Sequence, residues 1–141
     1  MILADPEKID KITVGCVLVF EGKIILFHRT LDNFWNSVAG NMDDDENSDQ
    51  AIKRELKEEI GLDIKPEFFT TTYHAYDGKV IKYNLFWHEF DSNPSDHIKL
   101  SSEHDKFDFF NLEDALKLNL FEDEDYCLKL FYEAFLKDEK L

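Results

Sequence analysis

The stretch GNMDDDENSDQAIKRELKEEIGL, Gly40 to Leu62, reads as a loop running into a helix with three separate faces. Ser48 suits the helix N-cap and Asp49 its first turn, where a side-chain oxygen and a negative charge meet free N–H groups. Gly61 suits its stop, because the residue after the last turn commonly takes a left-handed conformation. At about 100° per residue, Ile52, Leu56 and Ile60 form an apolar stripe for a core. Gln50, Lys53 and Lys57 form a solvated face. Glu55, Glu58 and Glu59 share the third face at spacings i, i+3 and i+4. Such neighbours lie roughly 5–6 Å apart at Cβ and repel one another when ionised. A helix loses stability that way, and a bound cation relieves the repulsion. Clustered carboxylates suit a hard, oxygen-seeking ion such as Mg²⁺, with Mn²⁺ as a substitute. Ala51 lies one turn earlier on the carboxylate face and leaves room for the loop at Ala39-Gly40. Arg54 can reach Glu58 at i+4 and steady Glu55. Its plainer reading, an exposed ion pair, is worth roughly a few tenths of a kcal/mol.

Composition narrows the function classes. With 141 residues, 43% hydrophobic and 14% aromatic, the chain can fill one core. One domain is expected over residues 1–141, with 1–9 flexible. No apolar run is long enough for a transmembrane helix. The opening MILADPEKID has no basic region followed by an apolar stretch, so a cytoplasmic location is expected. Cys16 and Cys127 each sit in an apolar pattern and read as buried free thiols. The five histidines show no ligand spacing. A formal net charge of −15 argues against nucleic acid and membrane partners, both of which want a basic surface. A small polyanionic substrate is compatible with that charge if divalent ions bridge carboxylates to phosphates. Most acidic residues outside the helix are read as solvated surface, including Asp43-Asp44-Asp45, for which an extra ion is the alternative.

Elsewhere the pattern alternates strand and helix. Ile12 to Phe20 is an apolar, β-branched run, and Glu21-Gly22 turns it into Lys23 to His28. Arg29 follows, then a polar loop over 30–33. Phe34 to Val38 is expected to run extended. Phe68 to Tyr76 and Val80 to Phe90 make a hairpin about Asp77-Gly78. Lys106 to Phe110 is a short strand, and Asn111 can cap a short helix to Leu118. In the last helix Cys127, Leu130, Phe131, Ala134 and Phe135 form a stripe, with Glu122 to Asp125 at its positive end. A mixed sheet flanked by helices follows.

The quoted stretch also carries a spacing: Gly40, five residues, Glu46, seven residues, Arg54-Glu55, Leu56, one residue, Glu58-Glu59, one residue, then Gly61 and Leu62. It resembles the Nudix box at every fixed position. The chain has two arginines against fourteen lysines, and one of the two falls on the box arginine. The resemblance implies an α/β fold, the Nudix α/β/α sandwich with a mixed central sheet, and metal-dependent hydrolysis of a pyrophosphate linkage. It implies Glu55, Glu58 and Glu59 as metal ligands, with the carbonyl of Ala39. Gly40, Glu46 and Gly61 shape the box, and Arg54 assists Glu55. Nudix enzymes often carry an arginine like Arg29 that meets phosphates, and the alternative is an arginine paired with one of the many acids. Many also carry a glutamate where Glu103 stands, as metal ligand or general base, which leaves His104 behind it.

A narrower similarity lies in Phe34-Trp35-Asn36-Ser37-Val38-Ala39-Gly40, which resembles a segment of dihydroneopterin triphosphate pyrophosphatases. Asp45 and Ala39 stand where relatives usually have glycine. Trp35 can stack on a pterin or purine ring, or it can close one end of the sheet. The substrate implied is a nucleoside or pterin triphosphate. Dinucleoside polyphosphates, nucleotide sugars, an isopentenyl diphosphate isomerase reaction and a non-catalytic nucleotide sensor are the alternatives. Monomer and homodimer are equally compatible with the sequence.

Overall fold

The structure, a computed structural model, describes residues 1–138. Its strands are β1 (Ile2–Leu3), β2 (Lys11–Phe20), β3 (Lys23–Arg29), β4 (Trp35–Asn36), β5 (Val38–Asn41), β6 (Glu67–Tyr76), β7 (Lys79–Glu89) and β8 (His104–Phe110). Its α-helices are α1 (Ser48–Ile60), α2 (Leu112–Ala115) and α3 (Glu124–Phe131). The strands form one mixed sheet in the order β1-β6-β7-β2-β3-β4, with β5 paired to β2 and β8 to β3. β2 and β7 run parallel from Lys11↔Ile81 to Val19↔Glu89.

The centres of β2 and β3, residues 14–19 and 24–27, are buried and free of charged residues because both of their faces are covered. Val14, Cys16, Leu18, Ile25 and Phe27 pack under Ala51, Ile52, Leu56 and Ile60 of α1. The alternate residues Val17, Val19, Ile24 and Leu26 pack against Ala115 of α2 and Cys127, Leu128 and Phe131 of α3. The layers are helix, mixed sheet, helix, as expected. Both cysteines are buried and free. Two tight turns set the hairpins: Glu21-Gly22 (φ 51° and 75°) and Asp77-Gly78 (φ 51° and 73°). Positive φ at both central residues matches the right-handed twist of the flanking strands.

Several expectations shift. The N-cap of α1 is Asn47, not Ser48: Asn47 Oδ1 accepts from the Gln50 N–H at 2.9 Å, and Gln50 Oε1 accepts from the Asn47 N–H at 2.9 Å. This reciprocal capping box satisfies two free donors at once. Ser48 instead accepts from Asn84 Nδ2 at 2.7 Å and ties the helix to β7. The extended run over 34–38 splits into β4 on β3 and β5 on β2. α2 is capped by Asn111 as expected but ends at Ala115. After Phe131 the last helix widens to a π-type turn, Tyr132–Leu136. The extra residue per turn rotates the stripe, so Ala134 is exposed while Leu136 is buried; Leu128, ahead of that turn, is buried as well. Within the stretch 1–9, for which flexibility is expected, Ile2 and Leu3 pair with His74 and Tyr73, because the β6 edge offers unpaired backbone groups. The expected domain 1–141 extends to 139–141, which lie outside the described residues. Among the described residues, no helix is long and apolar enough to cross a membrane.

Candidate active site

α1 presents its faces unequally. Gln50, Lys53 and Lys57 are exposed, as expected. Of the carboxylates, Glu58 is 59% exposed at its side chain, Glu55 is 12% exposed, and Glu59 is buried. Arg54 holds this face together. Its Nε and Nη2 bind both oxygens of Glu46, Nη1 donates to Glu55 Oε1 at 2.9 Å and Glu58 Oε2 at 3.2 Å, and Nη2 donates to the Asn41 carbonyl at 3.0 Å. The planar guanidinium suits such forked contacts. Glu46 is held below the usual carboxylate range by Arg54 first and then by the Asp43 N–H. Asp43, Asp44 and Asp45 are exposed. Glu55 is pushed up, mainly by burial, against the opposing pull of Arg54.

Two glycines bring the neighbouring backbone close. A Cβ on Gly40 would lie 2.1 Å from the carboxyl carbon of Glu55, so β5 can press against that carboxylate only with glycine there. Gly61 ends α1 at φ 71°, and a Cβ on it would lie 3.1 Å from Cβ of Lys99. The loop after β7 docks on that end: the Lys99 N–H donates to Ile60 O at 2.8 Å and the Ser101 N–H to Glu59 O at 2.9 Å. These bonds satisfy carbonyls that the helix leaves free and deliver Glu103 to α1. The Thr30 N–H fixes the loop from the other side through the Glu103 carbonyl at 3.0 Å.

Burial, with the neighbouring carboxylates of Glu103 and Glu55, pushes Glu59 up to about 9, while the Ala39 N–H opposes them. Glu59 Oε2 is buried with no hydrogen-bond partner. A buried carboxylate oxygen without a donor costs stability, and the groups around it are mainly other carboxylates. A cation satisfies that environment. In antiparallel β-structure one residue's N–H and C=O point to the same edge. Because the Ala39 N–H reaches Glu59, the Ala39 carbonyl faces the same side. Among the described residues, no three Asp, Glu, His or Cys side chains already stand as a preformed metal-binding group. Arg54 holds Glu46, Glu55 and Glu58 instead.

On the other side of β5 lies a cleft of about 410 Å³. Ala39 and Gly40 border it, as do Arg29, Asn36, His74, Tyr83, Phe121, Asp123 and Glu124. Arg29 is clamped by Asp32, with Nη2–Oδ2 at 2.9 Å and Nε–Oδ1 at 3.0 Å, and lies over the Phe121 ring at 4.4 Å. It is therefore both acid-paired and at the cleft. Trp35 is not in the cleft. Its indole packs edge-on to Phe110 at 5.4 Å and His28 at 5.2 Å, so of the two expectations for it the geometry supports packing. His104 is buried, with Nε2 facing Asn36 Oδ1 at 3.3 Å and Nδ1 without a partner. Burial lowers its pKa. Through Nε2 the ring contacts Asn36, which lines the cleft.

Glu124 has a part that the sequence reading missed. It was read as a dipole-favoured, solvated acid, yet it is 8% exposed. Its Oε1 accepts from the Ser37 N–H at 2.7 Å and its Oε2 from Ser37 Oγ at 3.3 Å. Ser37 is the step between β4 and β5, where no sheet partner takes the amide, and a buried N–H needs one. Burial pushes Glu124 up to about 7.

A helix–sheet–helix sandwich with a carboxylate helix clasped by an internal arginine and capped by a glycine strand defines one class of α/β domain. The NUDIX domain family matches residues 10–131, and the chain belongs to that family. Phosphatase NudJ of Escherichia coli strain K12 is 38% identical over 60 residues, 41% of this chain and 39% of that protein. The chain therefore matches about two fifths of that relative's length. The NUDIX domain of Shewanella oneidensis NrtR, solved with ADP ribose, superposes with a TM-score of 0.76 at 18% identity over 93% of each chain. The E. coli dihydroneopterin triphosphate pyrophosphohydrolase superposes at 0.73 with 18% identity, covering 93% of this chain and 99% of that one.

Proposed function

We propose that this chain is a divalent-metal-dependent hydrolase that cleaves a pyrophosphate linkage in a nucleoside or pterin triphosphate. The observation that carries the reading is Glu59: a buried carboxylate with an unpartnered oxygen, flanked by Glu55 and Glu103. Glu55, Glu58, Glu59, Glu103 and the Ala39 carbonyl would hold Mg²⁺ or Mn²⁺. When bound, such an ion offsets phosphate charge and acidifies an attacking water. Arg54 positions Glu55 and Glu58 through Nη1. Proton removal from the water falls to Glu55 or Glu103, and pH–rate profiles of Glu55→Gln and Glu103→Gln separate the two. The name of the E. coli pyrophosphohydrolase and its similarity along the chain support the triphosphate class. A cleft of about 410 Å³ is at the small end of ligand pockets, which favours one ring system over a dinucleotide.

The test is a panel of dihydroneopterin triphosphate, dATP, oxidised dGTP, diadenosine tetraphosphate and ADP-ribose, run in isotope-labelled water. Pyrophosphate and a monophosphate are the expected products. A more than tenfold preference for ADP-ribose or the diadenosine compound contradicts the triphosphate reading. Binding without turnover of any of them makes the chain a sensor.

A further inference from the structure

Glu103 stands in an exposed turn just ahead of β8, yet its charge acts on both Glu55 and Glu59. Like charges repel, so the turn has to be held in place from outside. Two clamps do this. From α1, the Glu59 carbonyl accepts the Ser101 N–H at 2.9 Å, and Ser101 Oγ accepts the Glu103 N–H at 3.3 Å. From β3, Thr30 meets the turn with both of its donors. Its N–H donates to Glu103 O at 3.0 Å. Its hydroxyl lies 2.9 Å from Ser102 O and 3.3 Å from Glu103 O, so its one proton serves two carbonyls. Thr30 follows the last rung of the β3–β8 ladder, Arg29↔His104, where the register has just shifted. It is itself firmly placed. The Arg29 N–H donates to Phe34 O at 2.8 Å, the Asn33 N–H to Arg29 O at 3.1 Å, and Asp32 Oδ1 accepts the Phe34 N–H at 3.1 Å. Thr30 is exposed and belongs to neither core cluster. Its hydroxyl therefore serves the Glu103 turn rather than the packing.

We propose that Thr30 is a positioning residue for Glu103: its hydroxyl holds the turn that sets this carboxylate against the α1 carboxylates, and so governs divalent-ion affinity and turnover without touching ion or substrate. This role rests on the hydrolase reading, in which Glu103 is one of the groups that would hold the ion. Thr30→Val keeps the N–H, the branching and the bulk, and loses only the hydroxyl. Thr30→Ser keeps the hydroxyl and loses a methyl. A packing role would be spared by valine and harmed by serine, and a positioning role by hydrogen bond the reverse. Thr30→Ala lacks both groups and should match Thr30→Val.

The test reads three quantities in the full chain, with thermal melts confirming that each variant folds. Mn²⁺ affinity is measured without substrate by electron paramagnetic resonance, kcat and KM on the best triphosphate, and amide hydrogen exchange over residues 102–104. Thr30→Val and Thr30→Ala are expected to weaken Mn²⁺ binding about threefold and to lower kcat about tenfold, the scale on which groups behind a metal ligand act. KM should change less than about twofold, because the loss falls on turnover rather than on uniform substrate binding. Exchange over residues 102–104 should quicken in both. Thr30→Ser should stay within about twofold of the wild type in all three. In a Glu103→Gln background Thr30→Val should add less than about twofold, since residues that act through one another are not additive. Wild-type Mn²⁺ affinity and exchange in Thr30→Val, equal losses in Thr30→Val and Thr30→Ser, or full additivity with Glu103→Gln overturns the proposal. The two readings fail separately. A wild type that binds Mn²⁺ and hydrolyses nothing contradicts the hydrolase reading, and Mn²⁺ affinity and exchange then decide this one. Metal-dependent hydrolysis that Thr30→Val leaves unchanged contradicts this one alone. A wild type that binds no Mn²⁺ overturns both.

Discussion

Two groups of carboxylates stand on either side of β5, and they are satisfied in different ways. On the α1 side, Glu59 keeps an oxygen with no donor, and its nearest polar neighbours include Glu103 and Glu55. On the α3 side, Glu124 has both oxygens bonded to Ser37, and Asp123 faces His74. Glu59 and Glu124 are both withdrawn from water. Arg54 serves Glu55 and Glu58, but Glu59 Oε2 lacks a donor and calls for a cation. Glu124 is held by the neutral donors of Ser37, and Asp123 by the N-terminal amine. The same residue type thus serves two chemistries, and the supply of donors decides which.

The largest expected effect tests the first group. Glu58→Gln or Glu59→Gln should lower kcat by about a thousandfold, or roughly 4 kcal/mol of barrier, with the fold intact. Steady-state kinetics beside a thermal melt checks both parts. Glu103→Gln should cost at least tenfold, and an effect under threefold would return Glu103 to an ordinary loop residue. Leu56→Ala, on the apolar face of the same helix, should do the reverse. It should destabilise by about 2–5 kcal/mol in chemical denaturation, because Leu56 is fully buried.

Gly40→Ala should be milder. The clashing atoms are the far end of Glu55, which can swing away, so stability should change little while kcat falls about tenfold. Glu124 gives a pH test of the second group. Its folded value near 7 lies above the ordinary 4.5. Between those values the folded protein holds a proton that the unfolded chain has released. The stability this provides is complete below the ordinary value and is lost as pH rises through 7. Melting temperatures from about pH 5 to 8 should fall less steeply in Glu124→Gln than in the wild type. Trp35→Phe should show the smallest effect, with KM changing less than twofold, since the ring packs on Phe110 and His28.

What could be read from sequence was local. The three faces of α1 follow from periodicity, and their burial agrees, from exposed Lys53 to buried Ile60. The hairpin turns follow from Glu21-Gly22 and Asp77-Gly78. The cap of α1 was misplaced by one residue because Asn47 and Ser48 are both good caps, and only Asn47 has Gln50 at the reciprocal spacing. The parallel pairing of β2 with β7 joins segments about seventy residues apart, and no periodicity reports that. The burial of Glu124 was invisible for a related reason. In a run of acids opening a helix it looks solvated, and the distant Ser37 amide that draws it inward appears only when β4 and β5 separate. The sequence leaves Trp35 open between stacking and packing, since neighbouring residues do not say which side of a two-residue strand faces the cleft.

The central claim is that the α1 carboxylates act through a divalent ion. It is tested most directly by following turnover of the best triphosphate while Mg²⁺ is removed with excess EDTA and then restored. The account predicts that hydrolysis stops with the chelator and returns with Mg²⁺ or Mn²⁺. Turnover that continues unchanged in excess EDTA would contradict it.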